Sequence, residues 1–116
     1  MEEIAKIIKD ISGGNIKPIY FLMGEEPYYI DKLTEFIESN ILSEDERAFN
    51  QQVLYGRDVS IEDVISAAKR YPMMADRQVI IVREAQELSR NIDKLESYVK
   101  NFQPTTVLVI AYKYKS

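Results

Sequence analysis

Val79-Ile80-Ile81-Val82 constrains the fold of this chain more than any other segment. Four consecutive β-branched residues leave no polar face, so they read as a central strand buried on both sides, as in a parallel sheet covered by helices. Ile19 to Met23, between Pro18 and Gly24, reads as another buried strand. Thr106 to Ala111 is a third apolar, β-branched run, and Phe49 to Leu54, ended by Gly56, is a plausible fourth. Helical periodicity separates these runs. Ile4, Ile7, Ile8 and Ile11 mark a helix over residues 2–12 that stops at Gly13-Gly14. Pro27 suits the first turn of a helix whose inner face is Ile30, Leu33, Phe36, Ile37 and Ile41, with a charged loop from Ser43 to Arg47 after it. Ser60 is an N-cap, with Asp63 where Glu is commoner, ahead of Ile61, Val64, Ile65 and Ala68; this helix stops near Pro72. Ser89 is placed to cap a helix with Ile92, Leu95, Val99 and Phe102 inside. Strands alternating with helices imply an α/β fold, a parallel sheet with helices on both faces.

The chain of 116 residues is the size of one domain, and its 46% hydrophobic content is ordinary for one. No repeat or low-complexity linker divides it. It ends at Lys113-Tyr114-Lys115-Ser116, directly after a strand. A doubly wound sheet usually continues, so residues 1–116 read as a single domain truncated from a longer protein; a small complete four-strand domain is the alternative. No apolar run is long enough for a bilayer, and Met1-Glu2-Glu3 lacks the basic start of a secretion signal. The absence of cysteine excludes disulfides and zinc thiolates and fits a reducing, cytoplasmic setting. A net charge of −4 argues against a general nucleic-acid surface. Histidine is absent too, which removes Ser-His and Cys-His catalysis and the usual nitrogen ligands of zinc.

The first strand-to-helix loop is where an α/β sheet would cradle phosphate, because backbone N–H groups and the helix N-terminus point there. Here it reads Gly24-Glu25-Glu26-Pro27-Tyr28-Tyr29-Ile30-Asp31. The phosphate loop G-x-x-x-x-G-K-[ST] keeps only its first glycine, since Tyr29, Ile30 and Asp31 stand at the other fixed positions. Glu25 and Glu26 repel a polyphosphate, and Pro27 removes a donor. After the central strand, Arg83 stands where a magnesium-holding Asp would be, followed by Glu84. A cation there repels the metal. A P-loop kinase or ATPase is therefore disfavoured, and no cofactor or metal is expected. Arg83-Glu84 likewise fails to supply the acidic cluster of a receiver-like regulatory module.

Three segments, taken in order, resemble the N-terminal domain of the bacterial DNA polymerase III delta subunit family. They are Lys17-Pro18-Ile19-Tyr20-Phe21-Leu22-Met23-Gly24-Glu25-Glu26-Pro27-Tyr28-Tyr29-Ile30-Asp31, then Tyr71-Pro72-Met73-Met74-Ala75-Asp76-Arg77-Gln78-Val79-Ile80-Ile81-Val82-Arg83-Glu84-Ala85, then Thr106-Val107-Leu108-Val109-Ile110. The resemblance implies an AAA+-like, P-loop-like domain that has lost ATP binding and catalyses nothing itself. It implies the sheet order Ile19 to Met23, Thr106 to Ala111, Val79 to Val82, Phe49 to Leu54, with the strand at Ile19 on an edge where exposed backbone invites pairing with another copy. It also implies partners: the sliding clamp (the beta subunit), gripped and opened by an apolar tip; the other clamp-loader subunits, met through the full-length protein; and DNA only through the assembled complex, with no membrane role. In the family the tip carries an aliphatic followed by an aromatic residue. Those positions match Met73 and Met74, so the implied clamp-binding residues are Tyr71, Pro72, Met73 and Met74, departing from the pattern by having Met at both. From composition alone, two adjacent Met beside Pro72 read more readily as core filler than as contact residues, although neighbouring helical positions point about 100° apart.

Overall fold

Where the sequence alternates its apolar patterns, the chain alternates strands and helices. The computed structural model describes residues 2–113, so Tyr114 to Ser116, in the terminal stretch on which the truncation was read, lie outside the described residues. Helix α1 (Glu2–Ser12) leads to β1 (Ile19–Gly24), α2 (Pro27–Asn40), α3 (Glu44–Asn50) and β2 (Gln51–Tyr55). Then come α4 (Ile61–Ala68), β3 (Gln78–Arg83), two 3-10 turns (Ala85–Leu88 and Ile92–Lys94), α5 (Leu95–Lys100) and β4 (Thr106–Lys113). All three strand pairings are parallel, in the order β1-β4-β3-β2. Ile19 faces Leu108, and Leu108 faces Ile80, so the rows run straight across the sheet.

Two apolar layers hold the sheet. On one face α1 and α2 cover Val79, Ile81, Val107 and Val109 with Ile11, Leu33 and Ile37. On the other, α4 and α5 cover Ile80, Val82, Leu108 and Ile110 with Ile61, Val64, Leu95 and Tyr98. Burying each such Val, Ile or Leu contributes about 1.5–3 kcal/mol, which is why the continuous runs of β3 and β4 sit centrally.

Four local expectations change. Ile19 to Met23 is an edge strand rather than a fully buried one: Tyr20 and Leu22 are buried, while Phe21 and Met23 face outward and are exposed. The charged stretch after Ser43 is helix α3, capped reciprocally by the Ser43 hydroxyl and the Glu46 carboxylate. Phe49 consequently belongs to that helix and is exposed, and the strand begins at Gln51. Ser89 ends a 3-10 turn instead of capping a helix, and this shift of phase turns Tyr98 inward with Leu95 while Val99 and Phe102 are exposed. At Ser60, Asp63 completes the capping box as Glu would.

Candidate functional site

Two places stand out, at opposite ends of the sheet. The first is the loop between α4 and β3, residues 69–77. Its base is tied down by polar groups that satisfy the last carbonyls of α4, which the helix itself leaves free. Gln78 is buried, and its Nε2 lies 2.8 Å from the Arg70 carbonyl, 2.8 Å from Thr106 Oγ1 and 3.1 Å from the Ala67 carbonyl. Thr106 Oγ1 in turn donates to the Ala68 carbonyl at 2.7 Å. Beyond this base the chain turns outward. Tyr71 is 76% exposed and Met73 64%, Met74 stands wholly in water, and Pro72 is half-buried. None of the four is helical: α4 stops at Ala68, and Pro72 disfavours helical backbone at Tyr71. Met74 has a φ of 56°, in the left-handed region. For a residue with a side chain this costs about 1–2 kcal/mol, so the surroundings must hold it.

The hold comes from a residue that carries no signal in the sequence. Asn50, the last residue of α3 and only 5% exposed, accepts a hydrogen bond from the Met73 N–H at 2.6 Å and donates to the Met73 carbonyl at 2.8 Å. Its neighbour in sequence, Phe49, is 77% exposed. Both were hidden by reading Phe49 to Leu54 as a strand.

The second place is the cleft at the C-terminal ends of the strands, where a nucleotide would bind in an α/β sheet. It is an open cleft of about 430 Å³ lined by Asp31, Glu35, Glu38, Val53, Tyr55, Arg83, Glu84 and Lys113. Arg83 donates to Glu38 from Nε at 3.1 Å and from a terminal nitrogen at 2.6 Å, and lies 3.8 Å from Asp31. Lys113 reaches Glu84 at 2.7 Å and Asp31 at 2.9 Å. Thus Asp31 and Arg83, the residues at the serine/threonine and magnesium-site positions, pair with each other. Hydrogen bonds from Lys113 and then Gln86 hold the Glu84 carboxyl below its ordinary range. Partial burial pulls the Lys113 ammonium down, but the bonds to Glu84 and Asp31 outweigh it and the net shift is upward. Four carboxylates face two cations, a surplus of two negative charges that opposes a polyphosphate. The helix end offers an anion little, because Glu26 caps it by accepting from the Tyr28 N–H at 3.3 Å and Pro27 has no N–H. Among the described residues no acidic cluster suited to a metal ion occurs, and no helix is long and apolar enough to cross a membrane.

Sheet order, loop layout and a strand-end cleft paired within itself define an α/β domain of parallel strands without a phosphate-binding signature. The chain belongs to the DNA polymerase III delta subunit family, whose sequence model matches residues 20–116. It is 25% identical to the DNA polymerase III subunit delta of Bacillus subtilis (strain 168), an alignment covering 92% of this chain and 33% of that protein. Its fold is similar to that of the Bacillus subtilis DNA clamp loader delta protein, with a TM-score of 0.85 and 24% identity over 97% of this chain and 36% of the other. The chain therefore spans about a third of the length of the relatives it matches.

Proposed function

We propose that this domain is a non-catalytic part of a clamp loader that binds the sliding clamp through Tyr71, Pro72, Met73 and Met74 and helps to open the ring in DNA replication. The observation that carries the reading is the pair of methionines held out in water by a tied-down loop. An apolar side chain in water adds nothing to folding, whereas burying one in a partner's pocket is worth roughly 1.5–3 kcal/mol. Met suits the task because its unbranched, polarizable side chain adapts to a partner's surface. Opening the ring needs no chemistry. A tip that binds the opened interface better than the closed one shifts that equilibrium by the difference in affinity and by no more. Other clamp-loader subunits would be met through the full-length protein, DNA only through the assembled complex, all in the cytoplasm, and no cofactor enters the reading.

The test is a titration of the sliding clamp from the same organism with the parent chain and with the Met73→Ala, Met74→Ala double variant. Removing both contacts should weaken binding at least about a hundredfold, at roughly 1.4 kcal/mol per tenfold. The melting temperature should move by only a few degrees, because the removed atoms are exposed in the free domain. Unfolding of the double variant would make the two residues structural, and unchanged binding would put the contact elsewhere.

A further inference from the structure

We infer that Asn50 is a positioning residue for the tip: its buried carboxamide grips the Met73 backbone and so fixes the direction in which Met73 and Met74 are presented. This inference rests on the tip being the clamp contact. The side chain reaches across 23 positions in sequence to make both bonds to one residue, N–H to Oδ1 at 2.6 Å and Nδ2 to carbonyl at 2.8 Å, as a neighbouring strand would. Nδ2 also lies 3.2 Å from the Glu46 carbonyl, which ties the grip to the last turn of α3.

Few other groups could do this. A carboxamide offers a donor and an acceptor side by side, whereas a carboxylate cannot donate and an apolar residue can do neither. Gln would add a methylene in a site that is already closed. The loop has need of the grip. Gln78 and Gln103 bond to Arg70 and Lys69 at its base, but among the described residues only Asn50 sends hydrogen bonds from the rest of the fold into residues 71–77. The residue that follows the gripped one, Met74, has the left-handed backbone that side chains seldom adopt. Without the grip, the loop would have to be ordered at the moment of binding, which weakens association without removing a single contact to the clamp.

The test compares four variants of the full chain for clamp binding, at a temperature where all are folded: Asn50→Ala, Asn50→Asp, the methionine double variant, and Val64→Ala. Val64 is wholly buried in the core layer of α4 and α5 and makes no hydrogen bond to the tip through its side chain, so Val64→Ala reports plain destabilisation. Asn50→Ala should weaken clamp binding about tenfold, the scale of one lost ordering restraint. Asn50→Asp keeps the size but loses the donor, and should weaken binding as well. The amide hydrogen of Met73 should exchange faster in Asn50→Ala, which removes its acceptor, and less so in Asn50→Asp, which keeps one, while Val64→Ala should leave clamp binding and that amide unchanged. If both Asn50 variants bind like the parent while the methionine variant does not, Asn50 has no positioning role. A loss in Val64→Ala equal to that in Asn50→Ala overturns the inference too, because stability alone would then explain it. If the methionine variant binds normally, the tip is not the contact, and the preceding reading falls together with this one.

Discussion

In the strand-end cleft, Arg83 lies 2.6 Å from Glu38 and Lys113 lies 2.7 Å from Glu84; at the tip, Met74 stands wholly in water. The cleft keeps its charged side chains for one another and leaves little for a ligand. The tip does the reverse, with its backbone held by Asn50 and its side chains free. Six residues of β3 separate the two places, roughly 20 Å at about 3.3 Å per residue. An α/β scaffold can thus close the site where chemistry usually happens and still present a built surface at the other end of the same strand.

That contrast can be broken from either side. The largest effect is expected at the rim of the cleft, where the Gly56 N–H donates to the Arg83 carbonyl at 2.9 Å. A Cβ on Gly56 would clash with the Glu84 carbonyl oxygen, a backbone atom that cannot swing aside. Gly56→Ala should therefore cost about 3 kcal/mol or more, lowering the thermal midpoint by roughly 10–20 °C. Clamp binding in the cold should survive it. A smaller loss, about 1–2 kcal/mol by denaturant titration, is expected from Arg83→Leu, which leaves Glu38 without its partner and Asp31 with Lys113 alone. A midpoint unmoved by Arg83→Leu would mean that the cleft is not held by its own charges.

Acid gives a smaller effect again. Glu84 titrates below its ordinary range in the folded state, so its contribution is present above that range and is lost as pH falls through the depressed value. Lys113 is shifted upward, so its contribution is present below the ordinary ammonium range and is lost as pH rises through the raised value. Denaturant midpoints of the parent and of Lys113→Met should differ most between about pH 5 and 9 and converge only as pH falls through the depressed Glu84 range. The side chains are 20% and 41% exposed, so the difference should stay below about 1 kcal/mol. Curves that run parallel down to acid would show that this pair contributes nothing. The smallest expected effect is none: millimolar ATP with magnesium should produce neither saturable heat nor a higher melting temperature, and saturable binding would reopen the cleft as a nucleotide site.

Much of the scaffold was legible in the sequence because burial on both sides of a parallel strand leaves a continuous apolar run, as at Val79 to Val82. Helix α3 was missed because Glu44 to Arg47 shows no apolar stripe, although Ser43 and Glu46 carried the capping box that starts it. Tyr98 was missed because a 3-10 turn reset the helical phase before α5. The replacement of the phosphate-binding positions could be read one residue at a time, but the pairing of Asp31 with Arg83 and Lys113 depends on three strand and helix ends meeting. Asn50 shows the limit most clearly, since its partner lies 23 positions away and polar residues at helix ends are common.

Backbone hydrogen exchange of this chain, alone and with saturating sliding clamp, tests the contrast most directly, because it reads both ends of β3 in one experiment. The account predicts slower exchange on clamp binding in residues 71–76 and around Asn50, with Arg83, Glu84 and Lys113 unchanged. Protection confined to the cleft, with the tip exchanging as before, would contradict it.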